Sequence, residues 1–141
     1  MGVVLNRPLQ KKLGQLGGDF ALGELSGVPL FNGGPVETRQ LIIAAWKMHA
    51  SGFQLHLGIE PEKATRLLLE DGAHVRAFFG YAGWSAGQLE TELKADTWIV
   101  VSPPTDLFSK PGDGKLWRDV LASKGPEWRL LADEPEETGT N

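Results

Sequence analysis

The sequence predicts an α+β fold, a mixed sheet flanked by helices, and two patterns carry that prediction. One is a hairpin signal: Arg39 to Trp46 and Gly52 to Leu57 are both strand-like, with Met48 to Ser51 closing them. The other is a strand–helix–strand succession through the middle of the chain. A purely parallel sheet fits less well, because its central strands call for longer unbroken apolar runs.

The elements follow in order. Gly2-Val3-Val4-Leu5-Asn6 is β-prone and is expected to end at Arg7-Pro8, where proline withholds a donor. A strand starting at residue 2 has no preceding partner, so a further upstream piece is expected. Residues 11–27 hold five glycines and read as an irregular connection. Val28 to Phe31 is a short strand running into the turn Asn32-Gly33-Gly34-Pro35. In the strand from Gly52, Phe53, Leu55 and Leu57 alternate with Gln54 and His56, the pattern of a half-buried strand.

A helix is expected over 61–71. Pro61 suits its first position, Glu62/Arg66 and Arg66/Glu70 are spaced four apart, and Gly72 suits its end. Val75 to Tyr81 is a strand, followed by a glycine-flanked turn and a helix through Lys94, with Glu90 and Lys94 spaced to pair. Thr97 to Val101 reads as another strand, stopped by Pro103-Pro104. Asp113 can cap a last helix to about Ser123, with Leu116, Trp117, Val120 and Leu121 on one face. Residues 1–131 form a single expected domain.

The chain has 141 residues, enough for a core of its own, and no cysteine, which removes disulfides, thiolate metal sites and a Cys nucleophile. Its net charge of −4 is local. Asp133, Glu134, Glu136 and Glu137 account for the whole excess of acid over base, so residues 132–141 read as a disordered acidic tail on a neutral body. A neutral body lacks the positive footprint that phosphate neutralisation requires, which argues against direct nucleic-acid binding. No apolar run is long enough to span a bilayer and no signal peptide opens the chain, so a cytoplasmic protein without membrane contact is expected.

One motif points to catalysis. Gly83-Trp84-Ser85-Ala86-Gly87 matches G-x-S-x-G between a predicted strand and a predicted helix, the setting of a nucleophile elbow. Against it, His49, His56 and His74 all precede Ser85, whereas an elbow serine is followed by its acid and then its histidine. Ser85 and Gln88 also have capping-box spacing, which places the hydroxyl on a first-turn N–H and Gln88 on the backbone of Ser85. The cap is the stronger reading.

The histidines make no metal box, and neither a Walker loop nor G-x-G-x-x-G is present, so no metal or nucleotide cofactor is expected. Glu90/Glu92 reads as a solvated face. Tyr81, Trp84 and Trp98 bracket the glycine turn, with Phe78 and Phe79 just before it; core filling is the first reading and a recognition surface the second.

Gly2-Val3-Val4-Leu5-Asn6-Arg7-Pro8-Leu9, Gly33-Gly34-Pro35-Val36, and Gly80-Tyr81-Ala82-Gly83-Trp84 with Gly87-Gln88-Leu89-Glu90 and Trp98 resemble the YqgE/AlgH family. The likeness extends over essentially all of residues 1–131. It implies a cytoplasmic α+β domain with a branched sheet, part of it curled like a small barrel. It also implies no agreed catalytic reaction, and a link in one branch to regulation of transcription. Family members usually begin with about two further strands before the position of Gly2. A sheet without them is expected to present an edge that pairs with a second chain, giving a homodimer.

The resemblance marks Asn6, Arg7, Gly33, Gly34, Tyr81, Trp84 and Gln88 only as signature positions, and their placement along the chain makes them the candidate ligand or partner surface, with no catalytic residue among them. Arg7, Gly33-Gly34 and Gly83-Trp84 each follow a predicted strand, so parallel neighbours would gather them at one rim. There Arg7 would offer a forked donor, the glycines close backbone approach and Trp84 a flat apolar wall; the plainer reading, and the stronger, is that Arg7 pairs with a local carboxylate and the glycines permit tight turns. The expected function is a binding or regulatory protein acting through a protein or small-molecule partner; the alternative is a serine hydrolase using Ser85.

Overall fold

The structure, a computed structural model, describes residues 1–103, 106–107 and 114–132, with residues 131 and 132 as backbone only. The expected acidic tail beyond residue 132 and the Asp113 cap lie outside the described residues.

Five strands form one open mixed sheet in the order β1 (Pro8–Lys12), β2 (Pro29–Asn32), β5 (Ala73–Tyr81), β3 (Val36–His49), β4 (Gly52–Leu57). β2 and β5 run parallel, and the other neighbours are antiparallel. The sheet does not close into a barrel: β1 and β4 are its two edges. The hairpin of β3 and β4 forms where the sequence places it, in unbroken register from Ala44–Leu57 to His49–Gly52.

Period-two alternation gives the central strands two buried faces. On one face Leu30, Ile43, Ala45, Val75 and Ala77 meet Leu13, Leu25 and Val28 of the irregular connection, and Ala64 of α1 (Pro61–Leu68). That connection condenses into three short 3₁₀ turns, Leu13–Leu16, Gly18–Phe20 and Glu24–Gly27. On the other face Phe31, Ile42, Ala44, Trp46 and Phe78 form a second cluster, with Val3, Leu5 and Tyr81 against it. Arg76 belongs to this second face. Its guanidinium carbon lies 4.8 Å from the Phe31 ring centre and 5.5 Å from that of Trp46, so a buried cation is held between two π-faces.

Four expectations are corrected. The first strand does not occupy residues 2–6 but starts at Pro8; residues 2–5 join the sheet through the Gly2–Ala82 bridge and Val4 N–H donating to Gly33 O at 2.9 Å, with Val3 and Leu5 packed on the second cluster. Thr97–Val101 is not a strand, because no sheet edge lies alongside it to accept its ladder. α1 stops at Leu68, three residues short, and Glu70 reaches across to Lys47 of β3 at 3.2 Å instead of pairing with Arg66. In β4 the facing is as expected, Phe53, Leu55 and Leu57 sharing the side of Trp46, but an edge position leaves Phe53 37% and Leu55 51% exposed.

Three more helices follow: α2 (Gln88–Lys94), α3 (Gly114–Ala122) and α4 (Pro126–Ala132). α3 buries Leu116 and Leu121 as its periodicity predicts, while Trp117 stays largely exposed. α4 is absent from the sequence reading, although Pro126 at its start and Glu127 in its first turn are helix-opening signals.

Candidate tryptophan rim

The parallel pair β2–β5 brings two strand ends to one rim, with Asn32 level with Phe79. Backbone bonds stitch the rim together. Gly33 N–H donates to Phe79 O at 2.8 Å, and Gly2 and Ala82 exchange bonds of 2.9 and 2.8 Å. Arg7 joins it from the start of β1 rather than from a strand end, its carbonyl accepting Asn32 N–H at 2.9 Å. Arg7, Gly33, Gly34, Tyr81 and Trp84 therefore meet in one region.

The glycines there do not open space for a ligand. A Cβ on Gly33 would strike the Gly80 carbonyl and stand 2.9 Å from Phe78 Cβ, and one on Gly34 would strike the Tyr81 backbone. Neighbouring main chain already occupies what their missing side chains leave free. Gly2 has a similar role on a smaller scale, since a Cβ on it would lie 3.1 Å from Cζ3 of Trp84.

Beyond β5 the chain turns at Trp84 and Ser85 into α2, and polar contacts converge on Glu92. The indole N–H groups of Trp84 and Trp98 both donate to Glu92 Oε2, each at 2.9 Å. Gln88 Nε2 donates to Glu92 Oε1 at 3.3 Å. The Trp98 bond, with help from Gln88 and Trp84, holds the Glu92 carboxyl below its ordinary value, against partial desolvation that pushes it up. The reading of Glu90/Glu92 as a solvated face is thus corrected for Glu92, and Glu90 does not pair with Lys94. The usable signal was the i,i+4 spacing of Gln88 and Glu92 behind a tryptophan. Trp98 nonetheless stays 46% exposed.

Ser85 takes half of the expected capping box. Its N–H donates to Gln88 Oε1 at 3.0 Å, as the box requires. Its hydroxyl, however, donates to the same Oε1 at 3.2 Å instead of accepting a first-turn N–H, because Gly87, at φ +79°, is the residue that opens the helix. None of the three imidazoles is near. His74 is the second residue of β5, seven residues and about 23 Å from Tyr81. His56 is level with Ala45, and Ala45 with Val75, at that same distant end. His49 Nε2 lies 2.7 Å from Gln54 Oε1 beside the hairpin turn. Among the described residues no three His, Asp or Glu side chains cluster to hold a metal ion.

Asn6 lines an apolar cleft of about 330 Å³ together with Leu5, Val101, Leu107, Leu116, Trp117 and Val120. The seven candidate positions thus divide between two surfaces, with Asn6 on the cleft and Trp84 and Gln88 on the Glu92 network.

This arrangement of sheet and rim has relatives. A UPF0301 protein of Streptomyces coelicolor is 36% identical, the match covering all of this chain and 79% of that protein. One from Magnetococcus marinus is 32% identical over 94% of this chain and 76% of its own. The solution structure of the AlgH protein from Pseudomonas aeruginosa superposes with a TM-score of 0.57 at 28% identity, covering 98% of this chain and 79% of that one. The crystal structure of protein DIP2367 from Corynebacterium diphtheriae shares the fold, with a TM-score of 0.65 at 18% identity over 94% of this chain and 74% of that one. The model of the AlgH-like family matches residues 1–129, nearly the whole chain, and with these relatives it settles the kinship: the chain belongs to the AlgH-like family.

Proposed function

We propose that this protein acts by binding, as a cytoplasmic regulatory protein without chemistry of its own, and that the Trp84–Trp98 rim meets its partner. The observation that carries this reading is the shared Glu92 carboxylate, which fixes two indoles while leaving Trp98 open to solvent. Rigid, half-exposed tryptophans are the residues that most often dominate binding energy at protein interfaces. Among the described residues no helix is long and apolar enough to cross a membrane. Control of transcription, which the resemblance attaches to one branch of the family, fits this role through protein contacts, since the neutral body lacks a positive face for DNA.

A photo-crosslinking residue at Val100, next to Trp98, tests the reading in cells, with Lys63 on α1 as the control position. A discrete adduct from position 100, absent from 63 and lost on Trp98→Ala, supports it. No adduct overturns it, and a fluorophosphonate label that disappears on Ser85→Ala overturns it in favour of the hydrolase.

A further inference from the structure

The two edges of the sheet differ in the features that govern edge pairing. β1 carries Pro8, which offers no N–H, together with Lys11 and Lys12, and its register with β2 is broken around Gln10, at φ +59°. Proline, lysine and a bulge are the devices by which an edge resists another chain. β4 has none of them. Gly52-Phe53-Gln54-Leu55-His56-Leu57 contains no proline, lysine, arginine or acid, and its register with β3 is regular throughout. Among the described residues β4 ends the sheet order, with β3 as its one neighbouring strand. Along the same strip Met48, level with Phe53, adds a third exposed apolar side chain beside the buried Trp46.

From this contrast we propose that β4 pairs antiparallel with β4 of a second copy of this chain, joining two five-stranded sheets into one. The strand is complementary to itself. Centred on Leu55, the pairing sets Leu55 opposite Leu55, Phe53 opposite Leu57 and Gln54 opposite His56. Apolar side chains then meet on one face, and an amide meets an imidazole on the other. The absence of charge removes the repulsion that two like strands would otherwise suffer. Six residues span about 20 Å, which places the contact at the small end of stable interfaces. The dimer is therefore reversible, with a dissociation constant on the order of 10 μM. The inference is independent of the tryptophan rim, which lies at the other end of β5.

Sedimentation velocity of the full chain across concentrations tests it. Wild type is expected to shift from monomer to dimer over roughly 1 to 500 μM, a range that brackets the expected constant. Leu55→Lys is expected to remain monomeric throughout, since two like charges would face each other across the dyad. Leu55 is exposed, so circular dichroism of the variant should match wild type. Mixing Leu55→Lys with Leu55→Glu chains is expected to restore a dimer that neither forms alone. A wild type monomeric at every concentration leaves the edge to a different protein's strand and overturns self-pairing. So does a Leu55→Lys chain that dimerises like wild type, or a Lys/Glu mixture that stays monomeric.

Discussion

Trp84 and Trp98 stand edge to face, their ring centres 5.8 Å apart at an interplanar angle of 66°. Thirteen residues, among them those of α2, separate them in sequence, and one carboxylate oxygen, Oε2 of Glu92, joins them in space. The pair makes the rim sensitive to the charge on a single acid. Glu92 titrates below its ordinary 4.5 when folded, chiefly because Trp98 donates to its ionised form. A depressed folded value means stability that is complete above the unfolded value and lost as pH falls through the folded one. The melting-temperature gap between wild type and Glu92→Ala should therefore be constant from neutral pH to about 5.5 and shrink in more acid solution. Tryptophan fluorescence of wild type should shift over the same acid range, and that of the variant should not. A gap that persists undiminished at about pH 3 would remove Glu92 from this role.

The glycines of the rim make a sharper prediction, because they differ from one another in surroundings. Gly34, at φ +152°, would drive a Cβ into the Tyr81 backbone, whereas Gly87, at φ +79°, has nothing within 4 Å. Gly87→Ala pays only for left-handed backbone, about 1–2 kcal/mol. Gly34→Ala adds a steric conflict with main chain that cannot rotate away, for a total of about 3 kcal/mol or more. Urea denaturation of the two variants measures the difference. Equal losses would show that the β5 backbone yields at Tyr81.

The reasons that some elements were legible and others were not can be seen in particular residues. The β3–β4 hairpin and α1 carry local signals, alternation and Pro61, that need no distant partner. β5 is marked by its own apolar run. Gly2–Asn6 and Thr97–Val101 have β-prone composition, but a strand is made by pairing, and which edge lies alongside is decided by the whole sheet. At the rim, Trp84, Gln88 and Trp98 stood out as unusual residues. Glu92 did not, because an acid on a helix reads as solvated until the two indoles that claim it are placed. The glycine turn left two readings open, a tight turn and an approach for a ligand. The space beside Gly33 and Gly34 belongs to Gly80 and Tyr81, which fits the tight-turn reading.

Arg76 offers a test of the second core cluster. Burial lowers its pKa, and the rings of Phe31 and Trp46 lie against its guanidinium. A lysine keeps the charge but loses the flat, weakly hydrated group that suits two aromatic neighbours. Arg76→Lys should therefore cost about 1–3 kcal/mol in chemical denaturation. A loss within a few tenths of a kcal/mol would mean that the rings contribute little to holding the cation.

Ser85 decides between binding and hydrolysis, and its local bonds say how. Both its N–H and its hydroxyl address Gln88 Oε1, at 3.0 and 3.2 Å, so the serine and the glutamine act as one unit. The hydroxyl bond is exposed and replaceable by water, so Ser85→Ala should cost no more than about 0.5 kcal/mol. Gln88→Ala strips the acceptor from both donors and should cost about 1 kcal/mol. In the Gln88→Ala background the serine substitution should then add almost nothing, since the interaction it removes is already gone. A double-mutant cycle in urea measures this coupling, and a growth or expression assay in cells measures the consequence. A cap predicts that each variant loses function only as far as it loses stability. If Ser85→Ala abolishes function while folding as stably as wild type, the hydroxyl has a chemical task, and the motif around it regains the meaning that its geometry here denies.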